Sequence, residues 1–175
     1  MTGWSYLATV MDGYSRKIVG WSVAESMHAT IVLDVMDMAI KRERPSKGLI
    51  VHSDRGIQYA CEDYRDLVSK TGFIQSISRK GNCWDNAPME SFFDTLKCEH
   101  VFPTIFQDVE DARQSIFEWV EAFYNRERIH SSLGYKTPLV FMRLLCQKQT
   151  RVCVRFWWGS SVFIKNQAVM LKQNL

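Results

Sequence analysis

The pattern of hydrophobic and polar positions predicts an α/β domain over most of this chain. Two runs rich in aromatic and β-branched residues flank a turn that begins at Asp12, which predicts a β-hairpin over residues 4–23. Apolar residues at helical spacing predict a helix over 30–43, which must end before Pro45. The short apolar run 49–53 predicts a buried strand of the parallel type.

Further along the chain, helices and strands alternate. Helices are predicted near 61–71, over 87–99 and over 109–127, and Gly72 is the expected stop of the first of these. A strand is predicted over 73–77. This order of elements is typical of a layered α/β domain, with helices packed on a sheet.

Composition allows one domain with a substantial core, because 175 residues are 46% hydrophobic. The net charge of +3 is unevenly distributed, since all 19 acidic residues precede residue 146 and five of the 22 basic residues follow it. Bulk charge therefore does not indicate nucleic-acid binding, and local basic clusters would have to provide it.

The five cysteines form no C-x-x-C pair, and no histidine spacing predicts a zinc site, so reduced cysteines are expected. No apolar run reaches the roughly 18 residues of a membrane span, and no signal peptide opens the chain. We expect a bacterial cytoplasmic, nucleoid-associated protein without a membrane partner.

Two acidic residues are the strongest candidates for catalytic chemistry. Asp54 follows the predicted buried strand, at the edge where α/β sheets place their ligands. Glu90 and Lys97 lie two helical turns apart, beside the apolar stripe of their predicted helix. Carboxylates there can bind Mg²⁺ or Mn²⁺, and Lys97 can meet a phosphate. The alternatives are a capping role for Asp54 and two solvated charges on the helix.

Basic residues near these acids are candidates for contacts to DNA phosphates, which position a nucleic acid without reading its sequence. One group is Arg79 and Lys80, and the other is Arg126, Arg128 and His130. The alternative for each group is an ordinary solvated surface. Trp84 either stacks on a base or packs under its own loop.

Four sequence blocks resemble bacterial insertion-sequence transposases that contain a retroviral-integrase-like core. They are residues 14–21 (YSRKIVGW), 52–59 (HSDRGIQY), 78–93 (SRKGNCWDNAPMESFF) and 124–138 (YNRERIHSSLGYKTP). The resemblance covers about residues 3–138.

The resemblance implies a ribonuclease-H-like fold, in which a central mixed sheet is flanked by helices. It implies an Asp-Asp-Glu triad that binds two Mg²⁺ ions, in which Asp54 corresponds to the second acid, Glu90 to the third and Lys97 to the basic residue that follows. The 35 residues between the two acids match the family's spacing. The implied activity is DNA cleavage and strand transfer, with element ends and target DNA as substrates and full-length transposase as a homo-oligomeric partner.

The chain departs from the family at its start. In the family the first Asp lies on a strand that precedes the Gly-Trp-Ser-Tyr-Leu found here at 3–7. We therefore expect an N-terminally truncated core over 1–138 with its first strand missing, no upstream helix-turn-helix region, and two metal ions only in a complete site. Asp12 is expected to be a turn residue at the end of the sheet away from Asp54.

The second departure is the atypical tail, residues 139–175. The family usually ends soon after the Thr-Pro found here at 137–138, and the sequence after about residue 145 matches nothing in it. Residues 151–164 have the pattern of a β-hairpin but no evident partner strand. The amino-acid sequence of the tail is typical of translation through a lost stop codon or in a shifted frame.

Three hypotheses follow. The leading one is a transposase core that is inactive alone because the first catalytic Asp is absent. The second is a non-catalytic remnant that binds DNA or a complete transposase. The third is an unstable pseudogene product, because residues 4–11 would be left as an unpaired apolar strand edge that favours aggregation.

Overall fold

The computed structural model describes residues 4–26, 29–79, 85–147 and 155–165, and within them a mixed sheet has helices on both faces. The strands are β1 (Trp4–Asp12), β2 (Ile18–Ala24), β3 (Ile50–Ser53), β4 (Ile74–Ile77) and β5 (Arg155–Lys165). The α-helices are α1 (Ala29–Glu43), α2 (Glu62–Thr71), α3 (Ala87–Leu96), α4 (Val109–Glu118) and α5 (Pro138–Gln147). Short 3₁₀ turns span Ile57–Tyr59 and Ser131–Leu133, and π-helical turns extend α3 over Lys97–Val101 and α4 over Trp119–Tyr124.

The five strands lie in the order β2-β1-β5-β3-β4, so that the last strand of the described residues occupies the middle of the sheet. β1 is antiparallel to both of its neighbours, with Leu7 opposite Val23 on one side and Val162 on the other. β3 is parallel to both of its neighbours, with His52 opposite Ser76 and Trp157. The sheet is therefore mixed, as predicted.

The predicted unpaired edge over residues 4–11 is wrong, and so is the prediction that residues 151–164 lack a partner. β5 pairs along β1 from Trp4–Lys165 to Asp12–Phe156, and its first residues pair with Ile50–His52 of β3. It runs antiparallel to β1 and parallel to β3. Backbone N–H and C=O groups along β1 and β3 thereby gain hydrogen-bond partners.

Alternating residues of β1 enter two separate hydrophobic cores. Leu7 and Met11 face the core formed with α3 and α4, whereas Ala8 and Val10 face the core formed with α1 and α2. Buried faces on both sides of a strand explain why β1 and β2 are almost continuously apolar. No helix within the described ranges is both long and apolar enough to cross a membrane.

Two glycines have backbone roles that a side chain would disturb. A Cβ atom at Gly20 would collide with the carbonyl oxygen of Val35, so a side chain here would push α1 away from β2. Gly72 ends α2 with φ 71°, and its N–H donates to the carbonyls of Ser69 and Val68. The predicted helix stop at Gly72 is confirmed, because a left-handed residue at this position favours glycine.

Helix α5 was not predicted from the sequence. It begins at residue 138, after which the sequence analysis expected an atypical tail rather than part of the domain. The N–H of Leu139 donates to the carbonyl of Asn125 at 3.0 Å, and the rings of Phe141 and Tyr14 lie 5.7 Å apart. Both α5 and β5 therefore pack against the part of the chain that precedes them.

Candidate active site

Asp54 lies directly after β3, where the sequence predicts it. Its Oδ1 accepts a hydrogen bond from the N–H of Gly56 at 2.8 Å, which is the local turn that an aspartate commonly stabilises. The half-buried carboxylate also lines a cavity of about 490 Å³, together with Arg55 and Arg65. Burial raises the pKa of Tyr59 in this cavity, and the Asp54 carboxylate raises it further. Asp54 thus fixes a turn and also presents a charge to the cavity.

A chain of hydrogen bonds joins the end of β3 to the first turn of α3, which carries Glu90. The N–H of Ser78 donates to the Ser53 carbonyl at 2.9 Å, and its hydroxyl donates to Asn86 Oδ1 at 2.9 Å. Asn86 occupies the N-cap position of α3, and its carbonyl accepts a hydrogen bond from the N–H of Glu90 at 3.1 Å. The two segments that carry Asp54 and Glu90 are therefore held at one edge of the sheet, and the Glu90 side chain is exposed there.

His52 and Arg55 support this edge, although sequence reasoning gave neither a role. The imidazole of His52 lies between the hydroxyls of Ser76 and Ser78, at 2.9 Å and 3.0 Å. The Arg55 Nε donates to the Ser78 carbonyl at 3.0 Å. The sequence signal for these two residues was their position among polar residues at the carboxyl ends of two adjacent parallel strands. Such ends meet at one edge of the sheet.

The donor set at this edge is small. Within the described residues, no three His, Cys, Asp or Glu side chains lie close enough together to hold a metal ion. The sequence of β5, the strand beside both β1 and β3, contains no acidic residue. Mg²⁺ is commonly held by one or two carboxylates together with phosphate oxygens, so Asp54 and Glu90 suit a single ion. The described residues do not supply ligands for a two-ion cluster.

Lys97 lies in the π-helical turn that extends α3. Its Nζ is 3.8 Å from the Asp94 carboxylate, and the side chain is 37% exposed. The ammonium group is therefore balanced by a neighbouring carboxylate while it remains accessible to a phosphate.

Arg79 makes a forked ion pair across the loop before α3. Its Nε and Nη2 donate to the two oxygens of Asp85 at 3.2 Å and 3.0 Å. These hydrogen bonds lower the pKa of Asp85 to about 2. Lys80 and Trp84, the other two candidates of this loop, lie outside the described residues.

The structure separates the second predicted basic group. Arg126 is exposed and borders a cavity with Lys17 and Glu121. Arg128 and His130 face a different cavity of about 620 Å³, which we call the basic pocket. It is lined among others by Arg16, Arg128, His130, Ser91, Ser131 and Tyr135. Because Ser91 follows Glu90, the pocket lies along the helix that carries the predicted third acid.

Two guanidinium groups set the charge of the basic pocket. Arg128 donates through Nε and Nη2 to the carboxylate of Glu99, at 2.8 Å and 2.7 Å. Burial, followed by the charges of Arg128 and Arg16, lowers the pKa of His130 to about 4, although Glu99 acts in the opposite direction with a smaller effect. The imidazole is therefore neutral at pH 7 and lies in a cationic environment.

Arg16 was not identified from the sequence as a candidate. It lies in the turn between β1 and β2 with φ 63°, and its N–H donates to the Asp12 carbonyl at 2.8 Å. The Asp12 carboxylate accepts hydrogen bonds from the N–H and hydroxyl of Ser15. Asp12 is thus a turn residue at the sheet end away from Asp54, as predicted.

Solved structures define the class of this fold. The chain is similar to a component of the simian T-cell lymphotropic virus intasome solved with the PP2A regulatory subunit B56 gamma, with a TM-score of 0.61 and 15% identity over 78% of this chain and 48% of that one. It is also similar to the catalytic core of BIV integrase, with a TM-score of 0.55 and 15% identity over 81% and 88% of the two chains. The HTLV-2 integrase catalytic core in complex with magnesium gives a TM-score of 0.54, with 12% identity over 78% of this chain and 84% of that one. The fold is therefore the ribonuclease-H-like fold of integrase cores.

Sequence comparison gives the family. Two models described as the integrase core domain match residues 1–83 and 71–138. Among curated relatives, the IS904 transposase of Lactococcus lactis is 45% identical over 79% of this chain and 55% of its own length. The IS600 31 kDa protein of Shigella sonnei (46% identity, 51% of its length) and the IS3A transposase InsF of Escherichia coli (41%, 48%) match the same share of this chain. The chain belongs to the insertion-element transposases with an integrase core, and it spans about half the length of these relatives.

Proposed function

We propose that this chain acts on DNA as a transposase core, in which Asp54 and Glu90 are the carboxylates of a metal site for phosphodiester cleavage and strand transfer. The observation that carries the proposal is the hydrogen-bonded connection from Ser53 through Ser78 and Asn86 to Glu90, which fixes both acid-bearing segments at one sheet edge. Family membership supports the same assignment.

The proposed cofactor is Mg²⁺ or Mn²⁺, held by Asp54 and Glu90. When bound, such an ion activates an attacking oxygen and stabilises the leaving oxygen of a phosphodiester. The contribution of this chain is to position the backbone that carries the two carboxylates, through the Asp54 turn and the N-terminal turn of α3 at Asn86, and to present Lys97 beside them. Lys97 is proposed to meet a phosphate oxygen as a point charge.

We further propose that cleavage by this chain alone is weak. A pair of carboxylates suits one ion, and neither the described residues nor the β5 sequence adds a third carboxylate at this edge. Each tenfold loss of rate corresponds to about 1.4 kcal/mol of barrier. Strand cleavage several orders of magnitude below that of a three-carboxylate site is expected.

Binding without cleavage is the second candidate function, and the basic pocket favours it. The proposed partners are the ends of an insertion element, target DNA and a full-length transposase. Arg79, Lys80, Arg126, Arg128 and His130 are the proposed DNA contacts. Affinity for DNA that falls steeply with salt, in a chain that does not cut, would support this function.

Metal binding and DNA nicking test the proposal separately. Mn²⁺ titration, followed by the relaxation of water protons, should detect one weak site that is lost in Asp54→Asn and in Glu90→Gln. Asp63→Asn is the matched control, because Asp63 is an exposed carboxylate on α2. Slow Mg²⁺-dependent nicking of supercoiled DNA should likewise be lost in Asp54→Asn and in Glu90→Gln and be retained in Asp63→Asn. Mn²⁺ binding in Asp54→Asn equal to that of the wild-type chain would overturn the metal assignment.

A gain-of-function variant tests whether a third carboxylate limits the rate. Gly159 pairs with Thr9 of β1 and lies two residues after Trp157, which pairs with His52 of β3, so it continues the register toward Asp54. Gly159→Asp should raise Mg²⁺-dependent nicking at least tenfold. Ser160→Asp is the control, because successive strand positions lie on opposite faces of the sheet. Equal rates in both variants would contradict the proposal.

A further inference from the structure

We propose that the basic pocket binds one nucleotide unit of a DNA strand, with the phosphate between Arg16 and Arg128 and the base against Tyr135. This inference rests on the proposed function, because it names a DNA subsite beside the carboxylate edge. None of the predicted catalytic residues lines the pocket.

The polar groups of the pocket suit a phosphate. Arg16 and Arg128 both line the pocket with guanidinium groups, one from the β1–β2 turn and one from the segment after α4. Guanidinium groups bind phosphate oxygens through several N–H donors, and Arg128 would use the donors that its Nε–Nη2 fork to Glu99 leaves. His130 Nε2 is buried and has no hydrogen-bond partner among the described residues. Hydroxyls of Ser91 and Ser131 add neutral groups that can donate.

One side of the pocket suits a base. The Tyr135 side chain is 72% exposed and that of Ile129 is 57% exposed, and both line the cavity. Exposed aromatic rings beside cationic groups are the usual platform for a base of single-stranded DNA. A cavity of about 620 Å³ lies within the size range of small-molecule binding sites, which accommodates a nucleotide.

Backbone strain is concentrated in this pocket. Among the described residues, three that are not glycine have positive φ: Arg16 at 63°, Arg44 at 46° and Tyr135 at 58°. Two of the three line the basic pocket. Side chains in this conformation cost about 1–2 kcal/mol, and such strain clusters at binding sites, where it fixes the groups that meet a ligand. Arg16 and Tyr135 are the two residues to which we assign the phosphate and the base.

The same geometry supplies a matched set of variants. Arg16→Gly and Tyr135→Gly remove the proposed contacts at positions where glycine adopts the backbone angle without strain, so folding should be retained. Arg44→Gly is the control, because it removes the same charge at the same kind of backbone position on an exposed residue outside the pocket.

Binding would be measured on the full chain by NMR shift titration with inorganic phosphate and thymidine monophosphate, and by fluorescence anisotropy with a labelled ten-nucleotide oligothymidine. Arg16→Gly should weaken all three ligands about tenfold or more. Tyr135→Gly should weaken the nucleotide and the oligonucleotide by a similar factor and leave inorganic phosphate within twofold. Arg44→Gly should stay within twofold of the wild-type chain for every ligand.

The outcomes separate this inference from the proposed function. Equal losses in Arg16→Gly and Arg44→Gly, or no binding of thymidine monophosphate by the wild-type chain, would overturn the pocket. Loss of mononucleotide binding specific to Arg16→Gly, in a chain that binds no metal and cuts no DNA, would support the pocket and overturn the metal site.

Discussion

The basic pocket and the Asp54–Glu90 edge are both polar regions of this fold, and they are built differently. The charged groups of the pocket are half-buried and fixed by partners distant in sequence, as in the Arg128–Glu99 fork. At the edge the backbone is fixed, but Glu90 is exposed, and among the described residues no third metal ligand joins Glu90 and the half-buried Asp54. The pocket is therefore organised before its ligand arrives, whereas the edge depends on a metal ion and a phosphate to order its side chains.

Both regions depend on the same central strand. β5 pairs with β1, which leads into the Arg16 turn, and with β3, which leads to Asp54. Disrupting β5 should therefore unfold both the basic pocket and the Asp54–Glu90 edge.

Proline in β5 is expected to have the largest effect. Val162 and Phe163 pair with Leu7 and Tyr6 of β1, and the N–H groups of neighbouring strand residues point to opposite sides. At least one of Val162→Pro and Phe163→Pro must therefore remove a ladder hydrogen bond, at about 3 kcal/mol or more. Thermal melting followed by circular dichroism measures the loss, with Val162→Ile as the control that keeps the N–H. If both proline variants melt like the wild-type chain, β5 does not contribute to the stability of the sheet.

Asn125→Ala is expected to affect the pocket more than the edge. The buried Asn125 amide bonds both the N–H and the carbonyl of Ile18, at 2.9 Å and 3.0 Å, two residues after Arg16. Leaving two backbone groups unpaired should lower the free energy of unfolding by about 2–4 kcal/mol. Urea denaturation measures this, with the exposed Gln114→Ala as the control. Thymidine monophosphate binding should weaken while Mn²⁺ binding persists. Loss of Mn²⁺ binding with unchanged thymidine monophosphate binding would contradict the contrast between the pocket and the edge.

The smallest expected effect is a pH dependence from His130. Its pKa of about 4 in the folded chain lies below the usual 6.5, so the unfolded chain takes up a proton first as the pH falls. Stability is therefore lost between about pH 6.5 and 4, by on the order of 1 kcal/mol for this half-exposed ring.

Melting at pH 7.5 and 5.0 checks the His130 prediction by comparing the wild-type chain with His130→Asn. Arg16, Arg128 and Glu99 face the ring in both proteins, and His100, whose pKa burial also lowers, is a shared background. A bound phosphate should reduce the pH dependence, because an anion favours the protonated imidazole. An unchanged pH dependence in His130→Asn would contradict the assignment.

The sequence predicted the elements whose signals are local. The hairpin around Asp12, the helix stop at Gly72 and the buried stripe of α3 follow from turn chemistry, glycine conformation and hydrophobic period. The resemblance also identified the integrase-core family from contiguous blocks. Asp54 at a strand end and Glu90 on a later helix were predicted in the same way, and their metal-binding roles stay predictions.

The tertiary structure alone decided how distant segments meet. Which strand lies beside β1 depends on backbone groups that every residue carries, so the pattern of 151–164 did not identify its partner. The split of Arg126 from Arg128 and His130 depends on where the chain turns after α4. Arg16 reaches the same pocket from more than a hundred residues away, because folding places the β1–β2 turn beside that segment. Short-range periodicity determines which face of an element is buried, whereas burial of those faces against one another determines which polar residues become neighbours.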